Sequence, residues 1–162
     1  MTFRSSSLSF PRPRVLVLIV AAMLAMTGML MPFSASAHEH RDVATDYVFV
    51  VGFLDEPAIQ GDTNGISLEV TKASKPVTGL DKTLKAEIIF GDQKKEVALS
   101  PVFKQDGSYE AVFIPSQPGD YSFHFFGTVG GKNVDETFTS SPNGFDSVAP
   151  RTDFEFPASK SS

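Results

Sequence analysis

Two histidines separated by a single residue form the motif in this sequence that is best suited to bind a metal ion. His38 and His40 follow the small-residue triplet Ala35-Ser36-Ala37, so cleavage after Ala37 leaves His38 as the first residue. The new α-amine, two deprotonated backbone amides and the imidazole of the third residue can then close a square of nitrogens. Square-planar nitrogen ligation suits Cu(II) or Ni(II), and protons compete for the same ligands. The spacing therefore predicts a copper site at a processed N-terminus.

A second arrangement uses the remaining histidine of the chain, His124. A terminal histidine can chelate one copper ion through its amine and its ring, and His124 would complete that site from a distance. His124 falls in a predicted strand, on the face opposite an aromatic row. The competing interpretations are a hydrophilic chain terminus for His38 and His40, and a hydrogen-bonded surface residue for His124. The predicted metal ligands are accordingly these three histidines.

Other kinds of chemistry find little support in the sequence. The acidic loop that contains Asp55, Glu56, Asp62 and Asn64 offers oxygen ligands for Ca²⁺, but it lacks the full spacing of a calcium loop. Asp and Asn at a tight turn are also ordinary turn chemistry. The chain has no cysteine, no G-x-S-x-G elbow and no H-E-x-x-H motif. We therefore predict a protein that is not an enzyme.

The first 37 residues have the pattern of a helical signal peptide. Residues 1–14 carry three arginines and no acid, residues 15–31 carry no charge, and the Ala-x-Ala triplet follows. This pattern predicts export to the periplasm or the extracellular space. The alternative is an uncleaved leader that anchors the domain to the membrane through residues 15–31, although about 20 apolar residues are usual for a span.

The net charge of residues 38–162 limits the kinds of partner that we expect the domain to bind. The chain has 14 basic and 19 acidic residues; three of the basic ones and none of the acidic ones lie in the leader, so residues 38–162 carry a net charge of −8. An acidic domain of this kind is not expected to bind nucleic acid or anionic lipid. The remaining possibilities are a metal ion or a protein partner, with the membrane involved only through an uncleaved leader. Without cysteine, stability must come from a core rather than from disulfides.

Alternation of apolar and polar residues after residue 44 predicts short strands separated by turns. Residues 66–71 and 84–90 alternate cleanly, whereas residues 45–54 are almost wholly apolar and are predicted to form a strand covered on both faces. About seven strands follow from the pattern, with turn signals such as Asn64-Gly65 between them. This is typical of an all-β, immunoglobulin-like antiparallel β-sandwich. The predicted strand segments are 45–54, 66–71, 84–90, 97–99, 109–113, 121–126 and 132–140.

These segments predict a simple domain organisation. Residues 1–37 are the signal peptide, 38–44 an N-terminal segment of the mature chain, 45–140 the sandwich and 141–162 a flexible C-terminal tail. Prolines interrupt the tail, but it also carries four apolar side chains that are able to dock part of it on the sandwich. These four are Phe145, Val148, Phe154 and Phe156.

Two segments of the chain carry a resemblance to known exported domains. The stretch from Pro118 to Phe123 (PGDYSF), followed by Gly127, Gly130 and the strand that ends at Phe138, resembles the closing hairpin of bacterial YtkA-like and FixH-like domains. The stretch from Gly65 to Val70 resembles their opening strands. A terminal His38 also gives a weaker likeness to periplasmic copper-resistance C proteins.

The resemblance covers roughly residues 45–140 and implies an Ig-like sandwich outside the cytoplasm that is sometimes linked to copper handling. The Asp-x-His pair and the Met-rich copper(I) loop of the copper-resistance pattern are missing, which favours Cu(II) over Cu(I). The sequence thus leaves two functions open. One is a binding module that captures or hands on Cu(II) through His38-Glu39-His40. The other is a structural or protein-interaction domain that binds through a sheet edge or the Phe-bearing tail.

Overall fold

A computed structural model describes residues 38–140 and 144–158. The predicted signal peptide and the alternative membrane anchor at residues 15–31 lie outside the described residues. Within the described ranges, no helix is long and apolar enough to cross a membrane. The folded part of the chain is built from strands, with short 3₁₀ turns at Leu80–Lys82 and Arg151–Asp153.

Ten strands, all paired antiparallel, form two sheets in the described part of the chain. Their bounds are β1 His38–Val43, β2 Tyr47–Phe53, β3 Asn64–Lys72, β4 Lys75–Pro76, β5 Leu84–Phe90, β6 Gln93–Val97, β7 Ser100–Pro101, β8 Ser108–Phe113, β9 Ser122–Val129 and β10 Lys132–Thr139. Sheet 1 has the order β1-β2-β3-β8-β7, with β4 also on β3, and sheet 2 has the order β10-β9-β5-β6.

The strand order identifies the architecture. Without β1 and the short β4, the two sheets run β2-β3-β8-β7 and β10-β9-β5-β6. This corresponds to the A-B-E-D and G-F-C-C′ order of immunoglobulin-type sandwiches. The predicted all-β, Ig-like antiparallel sandwich is therefore confirmed.

The core lies between the inward faces of the two sheets. Phe49 and Phe53 of β2 face Phe123 and Phe125 of β9, and all four side chains are fully buried. Each large apolar side chain buried in this way contributes roughly 1.5–3 kcal/mol to folding. The prediction that the β2 region is covered on both faces was wrong, because Val48 and Val50 on its outer face are only half-buried.

The sandwich starts earlier than the predicted boundary at residue 45. Residues 38–43 are not a separate segment but form β1, which pairs with β2 from His38↔Gly52 to Val43↔Tyr47. Apolar alternation could not reveal this strand, because its inward positions are Glu39, Arg41 and Val43. The turn into β2 was hidden as well: Ala44 and Thr45 adopt positive φ angles of 49° and 77° without a glycine to signal them.

The predicted flexible tail is partly a structural element of the sandwich. Phe145 and Val148 are buried in the core, and backbone bridges join Val148 to Gly119 and Ala149 to Ile59. For these two side chains the docking expectation is confirmed. It was wrong for Phe154 and Phe156, whose side chains lie largely in solvent.

Candidate binding groove and the predicted metal ligands

His38 and His40 lie on the outer face of the edge strand β1. His40 is exposed and pairs across the ladder with Val50, while His38 is half-buried and pairs with Gly52. Consecutive amides of a strand point to opposite sides of its axis. One of the Glu39 and His40 amides therefore points toward β2, and a chelate that uses both must break part of the β1–β2 ladder.

His124 lies in the other sheet, on the outer face of β9 as predicted. Its Nε2 is 2.7 Å from a carboxylate oxygen of Asp135, its Nδ1 is 3.5 Å from one of Glu87, and its ring stacks on Phe126. Across the described residues, no three His, Asp or Glu side chains are grouped so as to hold a metal ion. The structure thus places His124 in a carboxylate-bonded surface cluster and does not bring the three histidines together.

The acidic loop is organised by its own hydrogen bonds. The Asn64 side chain donates to the Asp55 carbonyl at 2.8 Å and accepts from the Asp55 amide at 3.1 Å, and Asp62 pairs with Arg151. Glu56 differs, because both of its carboxylate oxygens are shielded from solvent and have no hydrogen-bond partner of normal geometry. Burial raises the pKa of Glu56 to about 7; the charge of Asp146 adds to this rise, and the Phe53 and Ala58 amides oppose it.

A groove of about 530 Å³ lies at one side of the sandwich. Its floor is formed by Ile88, Phe90, Phe113 and Tyr121, and Lys94 and Lys95 stand at its rim. We call this surface the mouth groove. It lies where β6, the last strand of sheet 2, and the end of β8 in sheet 1 leave the core open. No motif in the sequence predicted it, since its residues come from three separate segments.

Aromatic packing and one hydrogen-bonded corner shape the floor of the mouth groove. The Tyr121 ring centroid lies 4.7 Å from that of Phe90 and 6.0 Å from that of Phe113. The Tyr121 hydroxyl donates to the Gln117 carbonyl at 3.0 Å and accepts from the Gln117 amide at 3.3 Å. This is the tyrosine corner of Ig-like domains, and burial raises the pKa of Tyr121. A tyrosine soon after Pro118-Gly119, just ahead of a strand, was the sequence signal that was missed.

The rim of the groove is basic in an otherwise acidic domain. Lys95 pairs across the ladder with the inward-facing Ile88, so its side chain leaves β6 on the groove side. Lys94 leaves on the outer side, where it lies 3.4 Å from Glu87. Among the residues that the structure describes, Lys95 forms no ion pair. The groove therefore combines an aromatic floor with an uncompensated positive charge.

Comparison with known proteins adds little to this description. No protein-family model and no curated protein matches the chain. Among solved structures it is similar to the Lin-41 filamin domain, with 17% sequence identity and a TM-score of 0.36, over 54% of this chain and 87% of that one. At that TM-score the likeness carries no argument about function. The fold assignment rests instead on strand order and the tyrosine corner.

Proposed function

We propose that the chain is an exported protein-interaction module, and that the mouth groove binds an extended polypeptide segment of a partner at the cell envelope. The single observation that carries this proposal is the partly uncovered aromatic floor. Phe90 and Phe113 are only half-buried although they pack against the core. Covering such side chains with a partner removes apolar surface from water, which is the main favourable contribution to most protein association.

The two sides of the sandwich differ in a way that supports a binding role for one of them. At the side where β1 and β10 approach each other, Arg41 lies over the Phe138 ring and closes the gap between the sheets. At the opposite side the edge strand β6 leaves Phe90 and Tyr121 next to a groove. Side chains of the protein itself therefore fill the gap between the sheets on the β1–β10 side, whereas the groove on the β6 side is open to a partner.

The open edge of β6 suggests how a partner binds. An edge strand presents a row of backbone donors and acceptors that an extended peptide can pair with, while its alternate side chains enter adjoining pockets. Lysine on an edge strand also guards against indiscriminate pairing between sheets. The two roles are compatible, because a lysine such as Lys95 repels apolar or basic strands and attracts an acidic one. The partner segment is thus expected to alternate apolar and acidic side chains.

Titration of the labelled protein with two short peptides tests this proposal. One peptide alternates phenylalanine with glutamate, and its counterpart alternates phenylalanine with lysine. We expect amide resonances of β6 and the Phe113–Gln117 region to shift with the acidic peptide only, and Lys95→Glu to weaken that binding about tenfold. Lys104→Glu, an exposed lysine in the β7–β8 loop, is the matched control. Shifts that are equal for both peptides, or that map elsewhere, would refute the proposal.

Capture or transfer of Cu(II) by a chain that begins at His38 is the second candidate function. It is favoured by one observation: His38 and His40 leave β1 on the same face. The ladder between β1 and β2 opposes it, because the amides needed for the chelate belong to a paired strand. Together these two features predict that the folded chain binds Cu(II) more weakly than a free peptide of the same sequence does.

A further inference from the structure

We propose that the segment which occupies the mouth groove is Asp153–Phe156 of a second copy of this chain; this inference rests on the proposed function of the groove. The C-terminal segment and the groove are separate surfaces of one molecule. Their contact therefore joins copies head to tail and gives concentration-dependent self-association.

The C-terminal segment carries the aromatic and acidic side chains that the mouth groove is expected to bind. Its sequence, Asp153-Phe154-Glu155-Phe156, alternates acidic and aromatic residues. The Phe154 side chain is 51% exposed and that of Phe156 is 97% exposed, so neither ring occupies the groove of its own molecule. In the structure Asp153 ends a 3₁₀ turn and Phe154 follows it with φ −113° and ψ −5°. The segment therefore has to straighten at Phe154, after which residues two apart face the same side. Both rings then meet the aromatic floor, while the Asp153 carboxylate turns toward the rim of β6.

The fold holds the base of this segment in place. Val148 bridges to Gly119, and Arg151 pairs with Asp62 and hydrogen-bonds the Gln60 carbonyl. These contacts fix the chain up to the 3₁₀ turn that ends at Asp153 and present the following aromatic residues to solvent. A segment anchored at its base loses less conformational freedom on binding than a free tail does.

Charge complementarity favours this occupant over an unrelated apolar segment. Lys95 brings a positive charge to the groove side of β6, and the segment brings the Asp153 carboxylate, whereas Glu155 lies 4.0 Å from Arg151 of its own molecule. The rest of the domain is acidic, so two copies repel each other in most orientations. When the acidic segment of one copy lies against the basic rim of the other, attraction between them opposes that repulsion.

Dilution of the exported protein tests the inference. We expect the average mass in sedimentation to rise with concentration over about a hundredfold range, and amide resonances of β6 to shift in parallel. Phe156→Ser and Lys95→Glu should each weaken self-association about tenfold. Phe103→Ser is the matched control, because that side chain is 84% exposed and lies outside both surfaces. The double variant Lys95→Glu/Asp153→Lys should recover most of the loss, since it restores opposite charges.

The outcomes separate this inference from the proposed function. No change in mass on dilution, or an equal effect of Phe103→Ser, overturns the inference. Groove resonances that respond to Phe156→Ser without any dependence on concentration indicate that the segment docks in its own molecule, which also overturns it. If the acidic test peptide still binds the groove in these cases, the proposed function stands without the second copy. If neither the peptide nor the chain's own segment binds, both proposals fail.

Discussion

The guanidinium carbon of Arg41 lies 4.1 Å from the centroid of the Phe138 ring and thereby joins the two sheets. Arg41 belongs to β1 at the edge of sheet 1, and Phe138 to β10 at the edge of sheet 2. Arg41 also donates to the Thr137 carbonyl at 2.9 Å, to a Glu136 carboxylate oxygen at 3.3 Å and to a Glu39 carboxylate oxygen at 2.5 Å. β1 carries little apolar surface and is paired with β2 through its backbone. The Arg41 side chain adds the contacts that connect β1 to sheet 2.

Replacing Arg41 by alanine should therefore destabilise the domain. The variant loses the cation–π contact and the charge-assisted hydrogen bonds, so we expect a loss of about 1–3 kcal/mol in the free energy of unfolding, measured with urea. Lys85→Ala is the matched control, because it removes an exposed surface pair with Glu96 and should cost less than about 1 kcal/mol. Equal losses in the two variants would show that Arg41 is an ordinary surface residue.

Glu56 should make stability depend on pH in the direction opposite to most carboxylates. Burial raises its pKa to about 7 in the folded chain from an ordinary value of 4.5. The folded state therefore holds the proton more tightly, and stability falls as pH rises from about 4.5 to about 7. Below this window the carboxyl is protonated in both states, and above it the cost of burying the charge is fully present.

Glu56→Gln removes this proton exchange. We expect the variant to match the unmodified protein at about pH 4 and to exceed its stability by about 1 kcal/mol at about pH 8, a figure reduced for partial solvation of the site. Unfolding with urea at several pH values measures the difference. Glu69→Gln, on the exposed face of β3, is the matched control. A Glu56→Gln profile parallel to that of the unmodified protein would contradict the assignment.

Gly127 is a position in β9 where a side chain has no room. Its φ is 132°, and a Cβ there would lie 2.2 Å from the Thr83 carbonyl oxygen, so backbone would have to move. We expect Gly127→Ala to lower the free energy of unfolding by more than about 2 kcal/mol. Gly91→Ala is the control, since Gly91 has φ 55° but open space around it; it should cost about 1 kcal/mol. Thermal unfolding of the two variants checks the ranking.

The sequence was informative where one face of a strand is apolar and the other polar. Rows such as Leu84, Ala86 and Ile88 revealed β5 and its inward face, and similar alternation revealed β3, β8 and β9. It was silent about β1, because Glu39 and Arg41 occupy inward positions there, where Arg41 bonds both Glu39 and residues of the distant strand β10. Long-range polar contacts of this kind leave no periodic signal in a single sequence.

The candidate site was harder to predict than the fold, for a related reason. The mouth groove is assembled from Phe90, Phe113 and Tyr121, which lie in or next to three different strands and come together only through the strand order. The histidine motif, in contrast, was visible at once because its two histidines lie only two positions apart in the sequence. The sequence did not indicate that His38 and His40 belong to a paired strand, and that pairing changes the chemistry expected of them.

Cu(II) binding at a chain that begins at His38 should compete with the pairing of β1 and β2. The four-nitrogen chelate needs the amides of Glu39 and His40, and one of these faces β2 in the ladder. We therefore expect the protein to bind Cu(II) at least about tenfold more weakly than a synthetic peptide of residues 38–43. We also expect faster amide exchange at Val50 and Gly52 when copper is bound.

Competition titrations of the protein and the peptide measure the ratio, after intact mass has established that the chain begins at His38. His40→Ala should abolish the four-nitrogen chelate in both molecules, which makes it the control for the binding mode. Equal affinity in protein and peptide would mean that β1 detaches at negligible cost, since the strand must give up hydrogen bonds to free the amide that faces β2. Binding that survives His40→Ala in the protein would instead indicate coordination through the amine and ring of His38, a mode that leaves the ladder intact.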